Sequence, residues 1–137
     1  MQKTRIMGFG TFDGLHKGHL NFFKQAKKTA KNPYLIIAVA RDCNVKRIKG
    51  KSPEFSEIKR LNLLKKSKIV DKVLLASKNN QLSFIWKMKP NIIVFGYDQK
   101  EYTKNLKKYI KDNKISIKII RLKPYKKHIY KSHLLKK

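Results

Sequence analysis

Two of the chain's four histidines, His16 and His19, stand three residues apart in the stretch GTFDGLHKGH, residues 10–19. Residues at that spacing share one face of a helix, with Cβ atoms about 5–6 Å apart. Two imidazoles so placed can both donate hydrogen bonds to one phosphate. The stretch is poor in bulky apolar side chains, so it is a turn, a site or both. After it, Leu20, Phe23 and Ala26 recur at helical spacing, which starts a helix near Lys17 or Gly18. Both histidines then sit at a helix N-terminus, where free backbone N–H groups and the helix dipole favour an anion. Gly10, Thr11 and Phe12 let the backbone approach a ligand closely, and Gly18 leaves room for a phosphate between the imidazoles.

Two other readings compete. A zinc site needs at least three protein ligands, and neither a suitable cysteine nor a nearby His-Glu partner is evident, so no metal ligands are assigned. Simple helix capping accounts for one histidine but not for both around a glycine. A second polar, glycine-containing loop, GYDQ at residues 96–99, carries Gly96 and Asp98. Asp98 can accept a hydrogen bond from a ligand's amino group or hydroxyl, and can equally cap a helix starting at Lys100. Asp13 is read as a turn former rather than a metal contact. Lys46 and Lys49 can reach a phosphate, or lie on a solvated surface.

The elements that must hold these loops alternate along the chain. Strands are expected over 4–10, 33–40, 72–77, 91–96 and 115–122, with PYLIIAVA at 33–40 reading as a strand covered on both faces. Helices are expected from residue 17 to about 30, over 55–67 with Ser56 as N-cap and Ile58, Leu61 and Leu64 on one stripe, over 81–88, and over 100–113. The segment RDCNVKRIKGKSP reads as a basic loop, and Phe84, Ile85 and Trp86 read as core. Such alternation implies an α/β, Rossmann-like fold: a five-stranded parallel sheet of order 3-2-1-4-5 with helices on both faces. Ligand is expected where the first and fourth strands diverge, and the two polar loops flank that crevice.

Composition narrows the classes. One domain over residues 1–137 suits this length. The single cysteine, Cys43, excludes an internal disulfide and a cysteine zinc cluster. No apolar run reaches the roughly 18 residues of a membrane span, and the apolar segment near the N-terminus is too short for a signal peptide; a soluble, cytoplasmic protein without membrane partners is expected. Lys plus Arg number 35 against 8 Asp plus Glu, a formal charge of +27. That balance draws polyanions, yet the lysines are spread over every segment, so nucleic acid is expected to bind only non-specifically.

The GTFDGLHKGH block resembles the HxGH signature of the nucleotidyltransferase superfamily. The likeness extends through VARDCNVKRIKG, RLNLLKKSKIVDKVLLAS, KPNIIVFGYDQ and RLKPYKKHIYKS, in the order of small single-domain members. GYDQ and the ending look most like archaeal-type FAD synthases; glycerol-3-phosphate cytidylyltransferases are similar through the third strand but end differently. The resemblance implies transfer of a nucleoside monophosphate to a phosphorylated acceptor with release of pyrophosphate. The donor would be ATP with FMN as acceptor, or alternatively CTP with an acceptor that yields a CDP-alcohol such as CDP-glycerol. A third alternative is a non-catalytic, nucleic-acid-binding member of the fold. By the resemblance, His16 and His19 are catalytic, and Thr11, Phe12, Lys17, Gly18, Gly96, Asp98, Tyr125 and Ser132 bind the nucleotide. Lys46, Lys49 and Arg60 would contact phosphate, with Mg²⁺ or another divalent cation accompanying ATP, and a homodimer is compatible. His133 after Ser132 departs from the family, which more often has a second hydroxyl residue there.

Overall fold

The computed structural model describes residues 2–78, 81–96 and 100–123. The elements are β1 (Thr4–Gly10), α1 (Lys17–Lys27), β2 (Pro33–Val39), α2 (Asp42–Lys49), α3 (Glu57–Lys65), β3 (Lys72–Leu75), α4 (Gln81–Met88), β4 (Ile92–Phe95), α5 (Lys100–Asp112) and β5 (Lys118–Arg121). The five strands form one sheet in the order β3-β2-β1-β4-β5, every pair parallel, as the alternation implied. β2 explains why its neighbours lie where they do. Leu35, Ile37 and Val39 face one side, while Ile36 and Ala38 face the other, all five fully buried. On the first side they meet Phe23 and Ala26 of α1 and Leu64 of α3; on the second, Ile85 of α4 and Leu106 of α5 close the core.

Three expectations change. RDCNVKRIKGKSP is not a loop: its first half is α2, with Asp42 in the first turn, Lys46, Arg47 and Lys49 in the last, and Gly50 ending it in the left-handed region at φ 80°. Charges of that sign at each end suit the helix dipole, and glycine takes the left-handed cap at least cost. Ser56 does cap α3, its Oγ accepting from the Lys59 N–H at 3.2 Å. The buried face of α3, however, is Arg60 and Leu64, while Ile58 is 54% exposed. Trp86 is 56% exposed on α4, whose core contact comes from Ile85 and Phe84.

The register opens the crevice. β1 pairs with β2 along its whole length, to Gly10 opposite Val39, but its pairing with β4 stops at Gly8 opposite Val94. Beyond Gly8 the two central strands part at their C-terminal ends, where an open parallel sheet receives ligand.

Candidate active site

The loop leaving β1 is shaped by packing as well as by turn chemistry. Phe12 lies in the left-handed region at φ 55°, and its buried ring folds back beneath Gly10. A Cβ on Gly10 would stand 2.6 Å from that ring. Gly10 therefore serves to seat Phe12, where the sequence reading had it opening the backbone to ligand. From there the ring meets Phe23 at 5.6 Å and His19 edge-on, with centroids 5.4 Å apart.

His16 and His19 cap α1 reciprocally. The Gly18 and His19 N–H groups donate to His16 Nδ1 at 3.0 and 3.4 Å, and the His16 N–H donates to His19 Nδ1 at 3.3 Å. Capping thus uses both histidines, contrary to expectation, and it takes the Gly18 and His19 amides that were expected to face an anion. The consequence is chemical. A neutral imidazole whose Nδ1 accepts carries its proton on Nε2. Both rings, stacked with centroids 3.8 Å apart, are set as Nε2–H donors. The same Nδ1 bonds end the helix and fix the tautomers.

Burial keeps the pair neutral. It pushes the His19 imidazole down to about 4, with His16 charge repulsion adding, and lowers His16 as well. Because the folded His19 binds a proton less readily than the unfolded chain at the usual 6.5, its contribution to stability is complete above that value and is lost as pH falls through about 4. Acidification from about pH 7.5 to about pH 5 costs about 2 kcal/mol from this group alone. Urea unfolding of wild type and His19→Gln at both pH values isolates it: wild type loses more stability on acidification than the variant, and equal losses would contradict the buried neutral imidazole.

The other expected residues fall in different places. Lys17 is exposed at the first position of α1, and Gly18 follows it. Thr11 is half-buried, its carbonyl accepting from Arg60 Nη1 at 2.7 Å. The Gly96 carbonyl, at the end of β4, accepts from Arg121 Nη1 at 3.3 Å. Lys46 and Lys49 are exposed on the last turn of α2 rather than in a loop. Asp98, Tyr125 and Ser132, with Tyr97 and His133, lie outside the described residues. Arg60 is not a surface charge, and its nitrogens turn to protein acceptors. Its side chain is fully buried and spent on the Phe55 carbonyl, the Thr11 carbonyl and Asp42.

Sequence reasoning missed the carboxylates that stitch this region. Asp13 is a long-range tether, both oxygens accepting at 2.7 Å from the Glu54 and Phe55 N–H groups. Asp42 and Glu57 exchange bonds, each carboxylate accepting from the other's N–H. Gln25 of α1 takes both the N–H and the carbonyl of Lys123, fixing where the chain leaves β5. Among the described residues no group of three or more His, Cys, Asp or Glu could hold a metal ion, and no helix is long and apolar enough to cross a membrane.

Comparison with known proteins agrees with this geometry. The family model described as cytidylyltransferase-like matches residues 7–136. The FAD synthase of Thermoplasma volcanium is 36% identical over 133 residues, covering 97% of this chain and 92% of that protein. The FAD synthase of Methanothermus fervidus is 40% identical over 122 residues, covering 88% of this chain and 83% of that protein. A crystal structure of a Thermoplasma volcanium protein, described as a lipopolysaccharide core biosynthesis protein, shares the fold with a TM-score of 0.81 at 37% identity, over 90% of this chain and 99% of that one. The resemblance carried by GTFDGLHKGH and by GYDQ is borne out: the chain belongs to the cytidylyltransferase-like family and, within it, to the archaeal FAD synthases.

Proposed function

We propose that residues 1–137 act as one nucleotidyltransferase domain that moves AMP from ATP to FMN, giving FAD and pyrophosphate. The observation that carries the chemistry is the reciprocal cap, which sets two adjacent Nε2–H donors at the mouth of the β1–β4 crevice. The choice of ATP and FMN is supported by the relatives' likeness over nearly the whole chain.

In the transfer, an oxygen of the FMN phosphate attacks the α-phosphorus of ATP. The bond from that phosphorus to the α–β bridging oxygen breaks, and pyrophosphate leaves with the electron pair. The attacking phosphate is already anionic at neutral pH, so no general base is needed. Catalysis rests on positioning and on charge stabilisation. The two imidazole N–H groups meet the charge on the phosphoryl oxygens, and their neutrality at working pH makes them donors at fixed points rather than diffuse positive charge. Thr11 and Phe12 offer backbone contacts, Lys17, Gly18, Gly96, Asp98, Tyr125 and Ser132 line the nucleotide, and Lys46 and Lys49 meet its outer phosphates. Magnesium enters with ATP as part of the substrate, held by phosphates and water, as its coordination habits favour. Both Asp13 oxygens are already engaged by the Glu54 and Phe55 N–H groups, which suits a tether better than a metal ligand.

The surplus of basic residues draws anionic substrates and binds nucleic acid only through its backbone, weakly and with steep salt dependence. A cytoplasmic setting suits a chain with one cysteine, and a homodimer is compatible with the fold. Incubation with Mg²⁺, FMN and either ATP or CTP, followed by chromatography, tests the assignment. FAD forms from ATP. Formation of CDP-glycerol from CTP and glycerol phosphate, with no FAD from ATP, would move the protein to the other branch.

A further inference from the structure

Resting on the nucleotidyltransferase reading, we propose that Arg60 is a positioning residue of the transfer reaction, holding the loop between β1 and the histidines in its working shape through the Thr11 carbonyl. The guanidinium is fully buried. Each of its nitrogens reaches a different segment: Nε donates to the Phe55 carbonyl at 3.0 Å, Nη1 to the Thr11 carbonyl at 2.7 Å, and Nη2 to Asp42 Oδ1 at 2.6 Å. The anchor behind it is continuous. Asp42 exchanges bonds with Glu57, Glu57 pairs with Arg41 at 3.3 Å, and Arg41 Nε donates to the Ala76 carbonyl just past β3.

Stability alone does not account for such an arrangement. Taking a guanidinium fully out of water carries a desolvation cost, its charged partner Asp42 keeps 39% of its side chain exposed, and the site borders an apolar core. What it does supply is geometry. Phe12, the next residue after Thr11, holds a left-handed φ of 55° that a non-glycine residue keeps only when its surroundings over-determine it. Arg60 fixes the peptide group before Phe12, and Asp13 fixes the chain after it by accepting from Glu54 and Phe55. With both sides pinned, the Phe12 ring is held against Gly10 and against His19. Releasing the first pin lets that ring shift, and the His19 imidazole shifts with it. The three-way fork is specific to arginine, because lysine presents a single nitrogen.

The test compares Arg60→Lys and Asp42→Asn with Asp71→Asn. Asp71 serves as the control for stability, since its carboxylate holds Lys27 and the Leu35 N–H without touching the loop. Turnover, KM, melting temperature and histidine ¹⁵N spectra are read for each. Arg60→Lys and Asp42→Asn lower kcat at least about ten-fold, as expected for a small misplacement of reacting groups. KM for ATP stays within about three-fold, and the His19 nitrogen signals move. Asp71→Asn keeps kcat and the His19 signals. Unchanged kcat in Asp42→Asn overturns the proposal, as does an equal loss of kcat in Asp71→Asn at matched melting temperature. Where Arg60→Lys does not fold, Asp42→Asn decides. The spectra need no turnover, so a protein that made no FAD would defeat the functional reading while leaving this one open to confirmation or refutation.

Discussion

Replacing either His16 or His19 with alanine lowers turnover about 10²–10³-fold, the usual cost of removing one donor from a developing oxyanion. The two losses do not multiply in the double variant. The backbone N–H that each imidazole accepts from survives in an alanine variant, but the two rings stack with centroids 3.8 Å apart, so removing one takes the packing from its partner, and residues acting as a unit are strongly non-additive. The variants differ in stability. His16→Ala removes a cap accepting from two N–H groups, costing about 1 kcal/mol. His19→Ala also removes a ring packed against Phe12, so it loses more. Single-turnover rates at saturating nucleotide, read beside melting temperatures, check this. Near-normal turnover in either variant would remove the histidines from the chemistry.

The contrast between what was legible and what was not follows from the range of the interactions. β2 was legible because seven consecutive residues, PYLIIAV, leave no polar face. With the helical spacing of α1, such runs were enough to order the sheet. The histidine pair was legible because its signal is local, three residues apart. α2 was not, although Asp42 and Gly50 marked its ends, because five of its eight residues carry charged or amide side chains and only Asn44 and Val45 are buried. Arg60 was misread for a related reason. Among 35 basic residues nothing local marks Arg60 as one that is buried. The scarce carboxylates carried the better signal. Among the described residues, Asp13, Asp42, Glu57 and Asp71 accept from backbone N–H groups, none of them nearer than fifteen positions along the chain. In a chain this basic, each acidic residue invites the question of what it holds, and Asp13 answers that it is no simple turn former.

Gly10→Ala disables the enzyme by a different route. Its Cβ would stand 2.6, 2.7 and 3.2 Å from three Phe12 ring atoms, closer than packed carbons sit. The ring has no easy retreat, because Phe23 lies behind it and both belong to the core between α1 and the sheet. Relief must come from the backbone, which moves the Thr11–Asp13 loop and the histidines beyond it. Overpacking of this kind costs about 1–3 kcal/mol, and a displacement near 1 Å at the reacting groups costs about 10² in rate. Gly50→Ala is the natural contrast. Gly50 has φ 80° but nothing within 4 Å of a Cβ, so it loses only the backbone preference of a helix cap, about 1 kcal/mol, with turnover unchanged. A Gly10→Ala/Phe12→Leu double variant separates clash from conformation. The smaller side chain leaves space for the new methyl, so stability returns while turnover recovers only in part, since a leucine presents no ring to His19. Normal turnover in Gly10→Ala alone would mean that Phe12 does not set the histidine geometry.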